Sequence, residues 1–332
     1  MVSLARGNCL KLLAITGFIL GVVVVLHQVS YTNTRDITLT NQPIEILNRC
    51  PPSNLKDISS LSTNTTIPNI IHQIWKTADV TTYPAQPSHE SWKAMFEPMN
   101  YTVRLWTDED VLALIRNSYT WLLSTYEGYP HNIQRADLAR LIVIHSEGGI
   151  YADLDVHPRS VEELMCLQQL GLQGIFGATG GNAGMSNHFF MAEKGSDFLQ
   201  WALEEAKRRG GAASKRIILP YLRVFWSTGP LMLTSVFRQY VWMYGELKPQ
   251  IALLDESYAR KVFGHAAGRS WHGSDGRLLN YISDHVQVTS LLIVLGSLGA
   301  ILALLCLVRR RRGESGGVGA SFCCRSKPHY DV

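Results

Sequence analysis

The sequence carries little charge for its length, and two long stretches of it carry none. Of its 332 residues only 17% are charged, and the formal net charge is +4. Much of the positive excess lies in one run of arginines, residues 309–312. No basic stretch is interleaved with aromatic residues, and this absence argues against a nucleic acid as partner.

The two uncharged stretches indicate membrane segments. Residues 12–26 follow Arg6 and Lys11, and because no small-residue cleavage site comes next, an uncleaved signal anchor is favoured over a cleaved signal peptide. Residues 288–308 precede the arginine run, and about 20 apolar residues suffice to cross a bilayer as a helix. Positive charge marks the cytosolic side. We therefore expect both termini in the cytosol and the residues between them in the lumen of the secretory pathway.

These signals divide the chain into segments. In order, we expect a cytosolic N-terminus (1–11), a transmembrane signal anchor (12–29), a lumenal stalk (30–66), a catalytic domain (67–285), a second transmembrane helix (286–308) and a cytosolic tail (309–332). Of six cysteines, only Cys50 and Cys166 fall in the lumenal part. An oxidising compartment permits a disulfide between them, while two free buried thiols are an equal alternative.

Hydrophobic patterning in the central segment alternates between strands and helices. Apolar runs predict strands at 69–75, 101–106, 150–152, 175–178 and 189–192, and helical spacing predicts helices at 91–96, 108–116, 132–145 and 198–208. Such alternation indicates an α/β domain with a mostly parallel sheet.

The sharpest chemical feature is a pair of aspartates, Asp153 and Asp155, which follows a predicted strand. Side chains at i and i+2 of a strand point to one face, and two neighbouring carboxylates repel unless a cation lies between them. The pair therefore predicts a site for Mg²⁺ or Mn²⁺, which suits a diphosphate substrate. A solvated turn is the alternative, because an isolated Asp-x-Asp is common.

Five segments, taken together and in order, resemble one enzyme family. The stretch 135–155 closely resembles the DxD region of the glycosyltransferases that carry a DxD sugar-binding motif. Segments 67–76, 105–108, 227–234 and 264–273 resemble further motifs of the same family, so that the likeness covers residues 67–276. It implies a GT-A-type nucleotide-sugar-binding fold, Mn²⁺ or Mg²⁺ as cofactor, and retention of anomeric configuration.

The resemblance also implies roles for residues around the aspartates. Asp155 would bind the metal, and Asp153 would contact the metal, the sugar or the ribose. Asp137 and Arg140 share a helix face and would hold the donor sugar. Arg135, which does not share that face cleanly with Arg140, is included in the predicted donor site.

Aromatic and histidine residues complete the predicted site. By the same resemblance Trp75 would stack on the nucleobase, although from its sequence context alone a core position is favoured. Trp271 would cap the leaving nucleotide, and His265 and His272 would complete the metal shell or bind the diphosphate. A structural histidine beside a packing tryptophan is the alternative for these three residues.

Within this family the two hydrophobic ends and the loop 271–275 look most like the inositol phosphoceramide mannosyltransferases. That likeness implies GDP-mannose as donor, a membrane lipid as acceptor, a Golgi location with the endoplasmic reticulum as alternative, and a regulatory subunit as partner. A UDP-sugar-dependent galactosyl- or N-acetylglucosaminyltransferase, a metal-dependent phosphohydrolase and a non-catalytic membrane scaffold or sugar-binding subunit are the alternatives.

Overall fold

The computed structural model describes residues 2–31, 44–50, 67–179, 184–244, 251–266, 273–285 and Gly299. Contacts divide the chain into two compact units, residues 1–273 and 274–332. The first unit contains the whole sheet. Of the second unit the described part consists of one helix and Gly299.

The described chain forms eleven α-helices and nine strands. The helices are α1 (Val2–Ser30), α2 (His89–Phe96), α3 (Asp108–Ser118), α4 (Thr120–Gly128), α5 (Asn132–Glu147), α6 (Val161–Gln168), α7 (Asp197–Arg209), α8 (Pro220–Ser227), α9 (Pro230–Tyr244), α10 (Glu256–Val262) and α11 (Ser274–His285). The strands are β1 (Glu45–Leu47), β2 (Ile70–Ile74), β3 (Thr102–Trp106), β4 (Gly149–Ala152), β5 (Val156–Pro158), β6 (Gly174–Thr179), β7 (Gly184–Ala192), β8 (Ile251–Leu254) and β9 (Phe263–His265).

Seven strands form one mixed sheet in the order β1-β8-β6-β7-β4-β2-β3, and β5 pairs with β9 in a separate two-stranded ribbon. All neighbours in the large sheet are parallel except at β7, which runs antiparallel to both β6 and β4. The expected α/β fold with a mostly parallel sheet is therefore confirmed.

The sheet is covered by helices on both faces. Successive strand residues alternate between two cores, as Tyr151 and Phe190 do on one face and Ile150 and Phe189 on the other, because side chains of a strand point to opposite faces in turn. The first core is completed by α5, α7 and α9. The second is completed by α2, α6 and α10. Both faces are buried, which is why the strands read as continuous apolar runs.

The turn between α5 and β4 sets the position of the aspartate pair that follows β4. Gly149 has φ +103°, and a Cβ there would lie 2.5 Å from the carbonyl oxygen of Ile70, so this position requires glycine. Burial lowers the pKa of His72 to about 4. This neutral imidazole accepts from the Trp106 indole at Nδ1 (2.9 Å) and donates from Nε2 to the Gly148 carbonyl (3.0 Å). The histidine thereby links β3, β2 and the start of β4.

The structure departs from the sequence-based predictions at the edge and centre of the sheet. β1 lies inside the range predicted as a stalk, yet it pairs in parallel with β8 at the end of the sheet. β7 begins at Gly184 rather than at the predicted residue 189, so residues 184–188 are strand as well. β8 and helices α8 to α10 had no predicted counterpart.

Within the described residues, no helix combines the length and the apolar sequence that crossing a bilayer requires. The predicted flanking transmembrane helices therefore find no support there. Apart from Gly299, the second predicted span (286–308) lies outside the described residues.

A disulfide between Cys50 and Cys166 joins the segment after β1 to α6, with a Cα–Cα distance of 6.3 Å. This pairing decides between the two alternatives that the sequence left open for these cysteines. It closes a loop with a sequence separation of 116 residues, and closing a long loop restricts the unfolded chain strongly.

We expect Cys166→Ser to lower the free energy of unfolding by about 2–5 kcal/mol, measured by denaturant unfolding under oxidising conditions. Adding a reductant should destabilise the wild type to the same level and leave the variant unchanged. Equal stability of the oxidised and the reduced wild type would contradict the prediction.

Candidate active site

The candidate site lies at the edge of the sheet where β2 and β4 end. These two strands are parallel, so Trp75 and Asp153, the residues that follow them, reach the same edge. β7 is antiparallel to β4, and its first residues therefore arrive at this edge as well. Ligands of α/β proteins bind at the carboxyl ends of parallel strands.

Asp153 and Asp155 occupy a turn and not a strand. β4 ends at Ala152, β5 begins at Val156, and the Val156 N–H donates to the Asp153 carbonyl at 2.9 Å. The alternation of strand side chains therefore does not explain how the two carboxylates are placed. They come together because the chain reverses at Leu154, which is buried at 3% exposure.

The Asp153 carboxylate is held by protein groups on both oxygens. The Tyr151 hydroxyl donates to Oδ1 at 2.7 Å, and Arg140 Nη1 lies 3.3 Å from Oδ2. The backbone N–H of Asp153 donates to the His188 carbonyl at 2.9 Å. Burial raises the pKa of Asp153, the neighbouring charge of Asp155 adds to that effect, and Arg140 opposes it.

Asp155 is buried and faces His265. The imidazole Nε2 of His265 lies 3.5 Å from Oδ2 of Asp155, because β5 and β9 pair with Val156 opposite His265. The ring of His188 stacks on that of His265 with centroids 4.1 Å apart and an interplanar angle of 11°. Burial and the charge of His265 lower the pKa of His188 to about 3. The stacked partner of His265 is therefore neutral.

Asp137 and Arg140, on consecutive turns of α5, form a buried polar centre behind the aspartate pair. Asp137 accepts from the Asn187 amide and the Thr228 hydroxyl, both at 2.9 Å, and lies 3.4 Å from Arg140 Nη2. Arg140 Nη1 also donates to the Asn187 carbonyl at 3.0 Å. Burial raises the pKa of Asp137 to about 6, and the charge of Arg140 opposes that rise. The structure thus brings Asp137, Arg140 and Asp153 together.

Trp75 is half-buried at the end of β2 and is not part of the core. Its indole N–H donates to the Thr82 hydroxyl at 2.7 Å, and its ring meets Tyr83 edge to face at 5.0 Å. Burial raises the pKa of Tyr83 far above its ordinary value, and the charges of Asp155 and Asp153 add to this rise. Tyr83 thus contacts the Trp75 ring and also feels the negative charges of the aspartate pair.

The remaining predicted site residues lie elsewhere or outside the described chain. Arg135 donates from Nη2 to Asn132 at 2.9 Å, within its own helix, and its charge acts on Tyr126 of α4. Its role in the donor site stays a prediction. Trp271 and His272 fall in residues 267–272, which are not described.

The donor set around Asp155 fits a divalent metal that shares its coordination with a substrate. Among the described residues, no group of three or more His, Cys, Asp or Glu side chains could hold a metal by itself. Asp155 and His265 face each other, while Asp153 is engaged by Arg140 and Tyr151. Mg²⁺ and similar ions are usually bound by one or two carboxylates together with substrate phosphates and water, so this small set fits.

Several residues of the site carried no distinctive signal in the sequence. His188 and Tyr151 are ordinary core positions by pattern, and Tyr83 lies in a loop without periodicity. Thr228 lies in the family-like segment 227–234 and Asn187 lies just before a predicted strand, and the sequence indicates no contact of either residue with Asp137. Only the folded sheet brings these side chains to the aspartate pair.

A glycosyltransferase family matches this part of the chain. The family described as "Glycosyltransferase sugar-binding region containing DXD motif" matches residues 26–169, a range that includes Trp75, Asp137, Arg140 and both aspartates. The resemblance recognised from the motifs is thereby confirmed, and the protein is classed as an enzyme, a glycosyltransferase.

Three curated proteins that are similar to the chain are named as enzymes of inositol phosphoceramide mannosylation. Over 252 residues the chain is 27% identical to inositol phosphoceramide mannosyltransferase 1 of Schizosaccharomyces pombe, covering 75% of this chain and 76% of that one. It is 29% identical over 243 residues to inositol phosphoceramide mannosyltransferase 3 of the same yeast, covering 68% and 62%. It is also 29% identical over 225 residues to the mannosyl phosphorylinositol ceramide synthase SUR1 of Saccharomyces cerevisiae, covering 66% and 56%. The chain thus spans less than two thirds of the length of the last two relatives.

Solved structures resemble the chain only distantly. The PaToxG glycosyltransferase is 18% identical with a TM-score of 0.36, covering 53% of this chain and 69% of that one. A glycosyltransferase involved in glycosylation of the major capsid of PBCV-1 is 14% identical with a TM-score of 0.31, covering 60% and 94%.

We expect Asp137→Asn to lower the free energy of unfolding by about 3 kcal/mol, because it removes a negative charge that offsets the buried Arg140. Glu256→Gln, which breaks the exposed ion pair with Arg260, serves as the control and should cost less than about 1 kcal/mol. Denaturant unfolding of both variants measures the difference, and equal effects would contradict the assigned role of Asp137.

Proposed function

We propose that the protein is a retaining, metal-dependent mannosyltransferase that moves mannose from GDP-mannose to the headgroup of a membrane glycolipid such as inositol phosphoceramide. One observation carries the proposal. The aspartate turn, backed by Arg140 at the carboxyl end of β4, lies in a chain that is similar over 75% of its length to an inositol phosphoceramide mannosyltransferase.

The proposed donor site is assembled from residues that lie far apart in the sequence. Trp75 and Tyr83 offer an aromatic surface to the nucleobase. Asp153 and Arg140 lie where the sugar and the ribose would be held. Asp155 and His265 would hold Mn²⁺ or Mg²⁺ next to the diphosphate, and His272 and Trp271 are further predicted contributors from the loop beyond β9. Arg135, whose guanidinium donates to Asn132, is a further predicted contributor to the donor site.

The chemistry is mainly electrostatic. When bound, the divalent ion stabilises negative charge on the leaving diphosphate. Arg140 adds a fixed positive charge that is already buried away from water. The protein therefore needs no rearrangement as negative charge develops on the leaving diphosphate. Asp153, held by Tyr151 and Arg140, keeps one geometry during the reaction. The acceptor oxygen would bond to the anomeric carbon from the side on which the bond to the diphosphate breaks, and the hydroxyl proton would pass to the departing diphosphate. No covalent nucleophile is assigned.

We place the enzyme at the Golgi membrane with its catalytic domain in the lumen and both termini in the cytosol. The disulfide between Cys50 and Cys166 supports the lumenal placement, because disulfides persist in oxidising compartments. A regulatory subunit is part of the proposal only by analogy with the family.

We expect metal-dependent release of GDP from GDP-mannose, and no comparable release of UDP from UDP-galactose, UDP-glucose or UDP-N-acetylglucosamine. The measurement uses detergent-solubilised full-length protein with Mn²⁺, with and without inositol phosphoceramide. Asp155→Asn should reduce turnover by about a hundredfold or more, since it removes a charged metal ligand.

Glu162→Gln, an exposed change on α6, is the matched control and should leave turnover unchanged. Release of UDP in place of GDP would overturn the donor and keep the glycosyltransferase class. Binding of GDP-mannose without turnover, with or without the lipid, would favour the scaffold alternative.

We expect Trp75→Ala to raise the KM for the donor about tenfold with little change in kcat, because stacking on a base contributes roughly 1–3 kcal/mol. Trp75→Phe should retain most of the affinity. Trp242→Ala, which removes a tryptophan that is 75% exposed on α9, is the control. A Trp75→Ala enzyme with an unchanged KM would show that this ring does not contact the nucleotide.

A further inference from the structure

The N-terminal helix presents an apolar surface on every side. All residues from Ile15 to His27 are exposed, and the side chain of Phe18 is 74% exposed. Consecutive residues of a helix are rotated by about 100°, so this run covers the whole circumference of α1. Exposed apolar surface of this extent marks a site of interaction with a protein or a lipid.

The end of α1 is fastened directly to the domain that carries the active site. Gln28 is buried at 8% exposure. Its Oε1 accepts from the Ile218 N–H at 2.9 Å, and its Nε2 donates to the Arg216 carbonyl at 3.3 Å. Tyr31 packs edge to face on Trp226 of α8 with centroids 5.3 Å apart. The described end of α1 is therefore held by two hydrogen bonds and a ring contact, without an intervening linker.

A mixed surface surrounds this junction, and we call it the collar: Tyr31, Lys215, Arg216, Ile218 and Trp226. Lys215 and Arg216 are exposed, Tyr31 and Trp226 are half-buried, and Ile218 is 62% exposed. Tyrosine and tryptophan are enriched where a membrane meets water, and basic residues near that level attract anionic lipid headgroups. Leu26 precedes Gln28 by two residues, or about 3 Å of helix, so the apolar run and the collar are continuous.

We propose that the collar lies on the surface of a lipid bilayer while the apolar run 15–26 contacts lipid, so that Gln28 fixes the orientation of the active site relative to the membrane. Contact with lipid does not require that α1 cross the bilayer. The consequence for catalysis rests on the lipid acceptor proposed above, whereas the contact itself does not.

Lipid matches this surface better than a protein partner does. A protein that packs against a helix covers one stripe of it and leaves the opposite side polar. The run 15–26 has no polar stripe, since it contains no charged residue and is exposed all round. The two basic side chains beside it complement lipid phosphates and would find no such partner on a second copy of the same basic collar.

A fluorescent label tests the contact. Full-length protein with Cys9, Cys306, Cys323 and Cys324 replaced by serine would carry an environment-sensitive fluorophore at Ile218→Cys. The protein would be placed in nanodiscs of phosphatidylcholine and phosphatidylserine. Glu162→Cys is the control, because α6 covers the face of the sheet opposite to the layer that α8 packs on.

We expect a blue-shifted emission and strong quenching by doxyl-labelled lipids at position 218, and neither effect at position 162. Equal and weak quenching at both positions would overturn the proposal. Energy transfer between two labelled copies without lipid quenching at position 218 would also overturn it, in favour of a second chain as occupant.

A second variant tests the orientation. Gln28→Leu retains size and removes both hydrogen bonds, and we expect transfer to a lipid acceptor in nanodiscs to fall about fivefold. Release of nucleotide from the donor in the absence of acceptor should not change. Ser30→Ala, which loses only a bond within α1, is the control. If the wild type transfers sugar to no lipid, the proposed function is refuted but the labelling result is unaffected. If Gln28→Leu transfers sugar to lipid as well as the wild type does, the fixed orientation is refuted.

Discussion

A buried positive charge organises this protein. The side chain of Arg140 is 5% exposed, and a desolvated guanidinium is costly unless several acceptors surround it. One acceptor, Asp137, comes from the same helix, and two come from other elements: Asp153 from the turn after β4 and the Asn187 carbonyl from β7. The ion pairs and hydrogen bonds of Arg140 therefore fix α5, β4 and β7 relative to one another. Thr228, at the end of α8, joins through Asp137.

The local parts of this arrangement could be predicted from the sequence. The helical spacing of residues 132–145 and the apolar run before the aspartates are short-range signals, and both elements formed close to where they were expected. The helix predicted at 108–116 also forms, as α3, and a capping box between Thr107 and Asp110 begins it. These features depend on residues a few positions apart, which is the range over which hydrophobic period and capping act.

What could not be predicted depends on contacts between residues far apart in sequence. The sequence of a three-residue segment such as β1 does not indicate that it pairs with β8. The antiparallel direction of β7 likewise depends on the whole sheet. The aspartate pair was expected at the end of a strand with both carboxylates on one strand face. It lies in the turn after that strand, because the paired ribbon of β5 and β9 starts immediately after it. The partnership of His188 with His265 likewise arises only when β7 and β9 meet.

The pairing of β1 with β8 has a consequence for how the chain folds during synthesis. Glu45 lies opposite Ala252, so the outermost strand emerges from the ribosome long before its partner exists. The sheet is completed last at this edge, and contacts of such large sequence separation form slowly. Until β1 is in place, β8 presents an unpaired edge that another chain can occupy. Once β1 has paired with β8, the disulfide from Cys50 to Cys166 holds that strand at the edge of the sheet.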